Sequence, residues 1–90
     1  MSAVDRLLKA RLIGIVRLDD LEAAVASATC AMEAGLEVIE VTFTLPSAAR
    51  AIDRLRRDHP AALIGAGTVR TLAELEEAAA AGAQFLVAPG

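Results

Sequence analysis

The stretch Ala34-Gly35-Leu36-Glu37-Val38-Ile39-Glu40-Val41-Thr42-Phe43 decides how the rest of the chain is read. Its start closes a helical pattern on a glycine, the residue suited to the left-handed C′ position of a helix. Its second half is a β-branched run that a buried strand requires. Working outward, three similar runs appear: Ile13-Gly14-Ile15-Val16, Ala62-Leu63-Ile64-Gly65-Ala66 and Gln84-Phe85-Leu86-Val87. The four begin at 13, 37, 62 and 84, so they are 24, 25 and 22 residues apart. One strand and one helix fill an interval of that size. An internal echo supports the repeat: Ala34 to Ile39 and Ala81 to Leu86 align at an offset of 47 residues, about two such units. Apolar strands alternating with helices indicate an α/β fold with a parallel sheet. This pattern leaves two architectures open, an open flavodoxin-like sheet and a (β/α) barrel.

The helices carry their own boundary signals. Asp19 is expected to cap a helix over 20–34, with Glu22 completing a capping box and Gly35 ending it. Thr71 and Glu74 form a second box for a helix over 71–81, closed by Gly82. A middle helix over 47–58 starts near Pro46 and stops at His59-Pro60, with Arg54, Arg56 and Arg57 toward its negative end. A further short helix is expected before the first strand. No linker or composition shift divides the chain, so residues 1–90 read as one unit.

Composition excludes several classes of function. Of 90 residues, 56% are hydrophobic, and 21 are Ala and 12 Leu, which suits close helix–sheet packing. Net charge is −3, there is no Trp or Tyr, and Phe43 and Phe85 sit in apolar runs. Neither counterion release nor base stacking is available for nucleic-acid binding. Cys30 is the single cysteine, too few for an internal disulfide or a multi-thiolate metal site. No signal peptide or bilayer-spanning run is present, and the chain reads as cytosolic, with no membrane partner. No cofactor is expected: the dinucleotide fingerprint lacks its third glycine, the phosphate-loop motif is missing, and no cluster has metal-ligand spacing.

A few residues break their local pattern. Glu40 sits mid-strand, where a carboxylate is expensive unless partnered, and alternation puts it on one face with Val38 and Thr42. It is either a general acid/base tuned by an apolar cavity or a strand-end carboxylate paired with a structural arginine. Arg17 ends the first strand on the face of Ile13 and Ile15, at the strand end where α/β ligand sites gather. A surface ion pair with Asp19 or Asp20 is its alternative. In Gly65-Ala66-Gly67-Thr68-Val69, Gly67 allows close backbone approach and Thr68 offers a hydroxyl and an N–H to an anion; a plain tight turn is the alternative. Pro89, within Ala88-Pro89-Gly90, occupies the equivalent place on the fourth strand. His59 reads as a solvent-exposed turn residue, Cys30 as a small core residue, and Arg50, Arg54 and Arg57 as a solvated helix face.

Three segments together resemble the successive motifs of KDPG/KHG aldolases: Glu37-Val38-Ile39-Glu40-Val41-Thr42, Ile64-Gly65-Ala66-Gly67-Thr68-Val69 and Ala81-Gly82-Ala83-Gln84-Phe85-Leu86-Val87-Ala88-Pro89-Gly90. These enzymes are the 2-keto-3-deoxy-6-phosphogluconate and 4-hydroxy-2-oxoglutarate aldolases. The resemblance implies a class I aldolase on a (β/α)8 barrel, usually trimeric, with this chain covering about the first four strands as the N-terminal half of one domain. It further implies that Glu40 moves protons during carbinolamine formation and C–C cleavage. Thr68 would hold the pyruvate carboxylate, and Arg17 would help bind the keto-acid substrate, beside Gly67 and Pro89. Many members carry an arginine four residues after the glutamate, where this chain has Thr44; a branch of the family shares that threonine and places an arginine at the end of strand one. The family's Schiff-base lysine lies on a later strand. The only lysine here, Lys9, precedes the first strand, so these 90 residues alone are expected to be catalytically silent and to self-associate through open edges. A sugar-phosphate epimerase barrel and a non-catalytic half-barrel module are the rival readings.

Overall fold

Alternating apolar runs and capped helices build three consecutive βα units in the computed structural model, which describes residues 2–3, 5–6, 13–16, 20–44 and 47–89. Strands β1 (Gly14–Val16), β2 (Val38–Thr42) and β3 (Leu63–Gly67) alternate with helices α1 (Leu21–Glu33), α2 (Ala48–Asp58) and α3 (Leu72–Ala81). The sheet is parallel in the order β1-β2-β3, with Ile15 opposite Glu40 and Glu40 opposite Gly65. A doubly wound sheet of flavodoxin order would place β1 between β2 and β3. Here each strand instead lies beside its successor in sequence.

All three helices cover one face. Val16, Ile39, Val41, Ile64 and Ala66 meet Ala24, Val25 and Ala28 of α1, Ala51, Ile52 and Leu55 of α2, and Ala78 of α3 in one core. In α2 the buried Ala48, Ala51, Ile52 and Leu55 follow an i, i+3, i+4, i+7 spacing, so one helical stripe does the packing. Small alanines let the helices approach closely, which is where the Ala-rich composition goes.

Caps follow local chemistry, with one shift. Asp20, not Asp19, caps α1, its carboxylate accepting the Ala23 amide at 2.9 Å. Asp19 lies outside the described residues. Thr71 caps α3 by accepting the Glu74 amide at 3.1 Å, while Glu74 reaches back one residue further than a standard box and accepts the Arg70 amide at 2.8 Å. Gly35 and Gly82, at φ +108° and +98°, are the two left-handed helix ends that the internal echo marks. Ser47 begins α2 without a side-chain cap. Pro46 lies outside the described residues, as does much of the expected N-terminal helix, of which the amides of Asp5 and Arg6 bond to Ser2.

Four expectations change. The run Gln84–Val87 is not a full strand; it makes one parallel bridge, Ala66 with Leu86. Its ladder is interrupted on both sides of that bridge. The Ile64 amide donates to the Gln84 side-chain oxygen at 2.9 Å, where a backbone carbonyl would serve a regular strand. Beyond it, the Val69 amide rather than that of Thr68 donates to the Val87 carbonyl at 3.1 Å, a one-residue slip. Cys30 is exposed, because the buried positions of α1 are 24, 25 and 28. His59 is half-buried, its Nε2 3.2 Å from the Thr29 hydroxyl, so it ties the end of α2 to α1. Of the expected solvated arginines, Arg50 is exposed, but Arg54 pairs with Glu22 of α1 at 2.6 Å and Arg57, also exposed, pairs with Asp53; Arg56, outside that set, donates to the Gly82 carbonyl at 3.0 Å. No helix among the described residues is long and apolar enough to cross a membrane.

Candidate active site

The sheet face turned away from the helices carries the unusual residues. Register sets Ile15, Glu40 and Gly65 in one row, and Thr42 beside Gly67 in the row nearer the C-terminal strand ends. Ligand sites of parallel α/β proteins gather at those ends. Glu40 is half-buried and has no hydrogen-bond or ion-pair partner among the described residues. Its carboxylate lies against the backbone of Gly67: a Cβ added there would sit 2.4 Å from Glu40 Cδ and 2.7 Å from Oε2. At Gly65 an added Cβ would meet the Phe85 ring at 2.4 Å. The two glycines of the motif therefore make room for side chains of this same chain, a task that the motif's reading as a ligand cradle did not foresee.

Thr68 is bent out of the sheet. Its φ of +55° is left-handed, the one such value at a non-glycine position among the described residues. A β-branched residue adopts that conformation only at a cost, and such strain concentrates at functional sites. The ladder slip to Val69 leaves the Thr68 amide without a backbone partner among the described residues. An N–H and a hydroxyl free of the ladder, one residue beyond the seat of Glu40, suit an anionic oxygen. Pro89 is exposed, two residues after Val87, whose own carbonyl is bonded to Val69. Arg17 and Lys9 lie outside the described residues.

Thr42 is a site neighbour that sequence reading placed on the right face without giving it a role. It is the fully buried polar residue of the described core. Its hydroxyl donates to the Val16 carbonyl at 3.3 Å and is 2.8 Å from the Thr44 hydroxyl. With its single proton on Val16, it accepts from Thr44. This pair joins the end of β2 to the end of β1. The signal that could have found it is a threonine in an otherwise apolar strand position.

A cavity of about 380 Å³ lies at the opposite end of the sheet, lined by Arg6, Met32, Leu36, Glu37 and His59 among others. Two of its polar side chains are already engaged: Arg6 donates to the Ala61 carbonyl at 2.7 Å and His59 meets Thr29. It is remote from Glu40 and Thr68 along the strands.

The model of KDPG and KHG aldolases matches residues 4–90. The chain belongs to that family. It is 42% identical over 90 residues to the 2-dehydro-3-deoxy-phosphogluconate aldolase of Treponema pallidum, covering 100% of this chain and 43% of that protein. It is 36% identical over 89 residues to the Escherichia coli K12 KHG/KDPG aldolase, covering 99% and 42%. Among solved structures, the Legionella pneumophila KDPG aldolase with pyruvate captured as a covalent carbinolamine superposes with a TM-score of 0.81 at 37% identity, over 90% of this chain and 39% of that one. The Zymomonas mobilis ATCC 29191 enzyme gives a TM-score of 0.85 at 32% identity, over 100% and 43%. The chain thus spans less than half the length of the relatives it matches.

Proposed function

We propose that the whole protein is a class I aldolase that reversibly cleaves 2-keto-3-deoxy-6-phosphogluconate, or 4-hydroxy-2-oxoglutarate, to pyruvate and an aldehyde, and that residues 1–90 supply its proton-transfer side. The observation that carries this reading is Glu40: a half-buried carboxylate, unpartnered among the described residues, seated on Gly67, one residue before Thr68, whose amide has no backbone partner among the described residues. In its protonated form Glu40 gives a proton to the carbinolamine oxygen as water departs. As a carboxylate it takes the proton from the substrate's C4 hydroxyl while the C3–C4 bond breaks. Thr68 binds the pyruvate carboxylate through its amide and hydroxyl, Arg17 supplies the countercharge, and Gly67 and Pro89 border the substrate.

The lysine that bonds the keto carbon comes from outside these residues. Lys9, the one lysine of the sequence, precedes the first strand in a charged stretch with Asp5, Arg6 and Arg11, and a nucleophilic amine needs desolvated surroundings. Sequential strand order with α1 to α3 on one face supports closure as an eight-stranded (β/α) barrel, to which β1 to β3 and the Gln84–Val87 segment belong. We further propose a cytoplasmic, trimeric enzyme without a cofactor.

Borohydride reduction of the whole protein with pyruvate tests the reading. The expected result is a single adduct on a lysine other than Lys9, with no turnover by residues 1–90 alone. An epimerase or a non-catalytic module would trap nothing. An adduct on Lys9 with turnover by the 90 residues would overturn the division of labour.

A further inference from the structure

Three torsions separate the Glu40 carboxylate from its backbone, and no hydrogen bond or ion pair among the described residues fixes them. A general acid/base is useful only if its oxygen stays within hydrogen-bond reach of the reacting proton. Among the described residues, what places the group is shape. Glu40 stands opposite Gly65 in the ladder, but the space over Gly65 is filled by Phe85, whose ring carbons lie 2.4–2.5 Å from where a Cβ would be. The next position on that face of β3 is Gly67, and there Glu40 Cγ, Cδ and Oε2 come within 2.7 Å of the place a Cβ would take. Real Cβ contacts do not approach so closely, so any residue other than glycine would drive the carboxylate off the strand.

We propose that Gly67 is a positioning residue for Glu40: the missing side chain, walled on the near side by Phe85 over Gly65, holds the carboxylate diagonally along β3 toward Thr68. This rests on the aldolase reading for its catalytic consequence but not for its geometry. The glycines of Gly65-Ala66-Gly67 then have separate tasks, one seating an aromatic wall and the other an acid/base.

The test is a double-mutant cycle in the whole protein, read by kcat, KM and urea midpoint. Gly67→Ala should lower kcat by about a hundredfold, the cost of displacing a catalytic group by about 1 Å, with KM for the keto acid changed by less than about threefold. It should also lower the urea midpoint. In a Glu40→Ala background the atoms that the new methyl would meet are gone, so adding Gly67→Ala should leave the midpoint where Glu40→Ala puts it and lower kcat far less than the hundredfold seen with Glu40 present. Gly65→Ala serves as the comparison: its clash is with Phe85, so it should lower the midpoint equally with or without Glu40. If Gly67→Ala alone does not fold, recovery of folding in the Glu40→Ala background supports the seat, and failure in both overturns it. Full kcat in Gly67→Ala, or equal losses in both backgrounds, would also overturn it. A wild-type protein that traps no pyruvate sinks the aldolase reading instead, while the stability arm of the cycle still decides whether Gly67 seats Glu40.

Discussion

Ile39 and Glu40 are neighbours in sequence and face opposite sides of β2. On the helix side, Ile39, Val41, Ile64 and Ala66 are all completely buried. On the other side lie Ile15, 54% exposed, and Glu40, with the glycines of β3 beside them. One face follows the hydrophobic rule throughout; the other follows it in the Val38–Leu63 row and breaks it in the two rows nearer the C-terminal strand ends. The helix face maximises buried apolar area, which is what stabilises a fold. The opposite face gives up side-chain volume at Gly65 and Gly67, places a carboxylate between strands, and accepts a strained φ at Thr68. Such costs persist where surrounding structure over-determines them. One sheet thus separates stability and chemistry by the period of two that strands impose.

Substitutions on adjacent residues can break or sharpen this division. The largest effect expected is Glu40→Gln in the whole enzyme, with turnover falling about 10²–10⁴-fold and a urea midpoint within error of the parent. Near-normal turnover would make Glu40 a structural carboxylate and erase the contrast. Next is Ile39→Ala, which removes fully buried volume from the helix face and should cost about 2–5 kcal/mol of stability, with kcat per folded molecule unchanged. A selective loss of kcat without loss of stability would show that the two faces are not separable. Smallest is Thr42→Val, on the Glu40 face but engaged with the chain's own Val16 and Thr44. Losing its hydroxyl should cost about 1 kcal/mol by denaturation and leave kcat within about threefold. A loss of kcat beyond tenfold would move Thr42 into the reacting site.

Much of this was legible in the residues. The βα alternation, the Thr71–Glu74 cap and the left-handed Gly35 and Gly82 rest on interactions within about four positions, so a local pattern suffices to find them. Even the placement of Glu40 with Thr42 on one face needs only the strand's alternation. The cap at Asp20 instead of Asp19 shows the limit of such reading, since two adjacent aspartates offer the same signal and one helical step decides between them. His59 with Thr29, and Arg54 with Glu22, are 30 and 32 residues apart, and nothing local announces either pair.

Sequence by itself therefore determined the first three βα units, where their helices start and stop to within a residue, and which residues are chemically out of place in them. Tertiary structure alone decided the strand order and the register that brings Gly65 opposite Glu40. It also decided that Gln84 takes a backbone amide from β3 and that Gly67 seats a carboxylate from the neighbouring strand. The physical reason is range. Periodicity and capping act along the chain over one turn or one pleat, whereas a notch and its occupant come from strands some 25 residues apart and exist only once the sheet has paired.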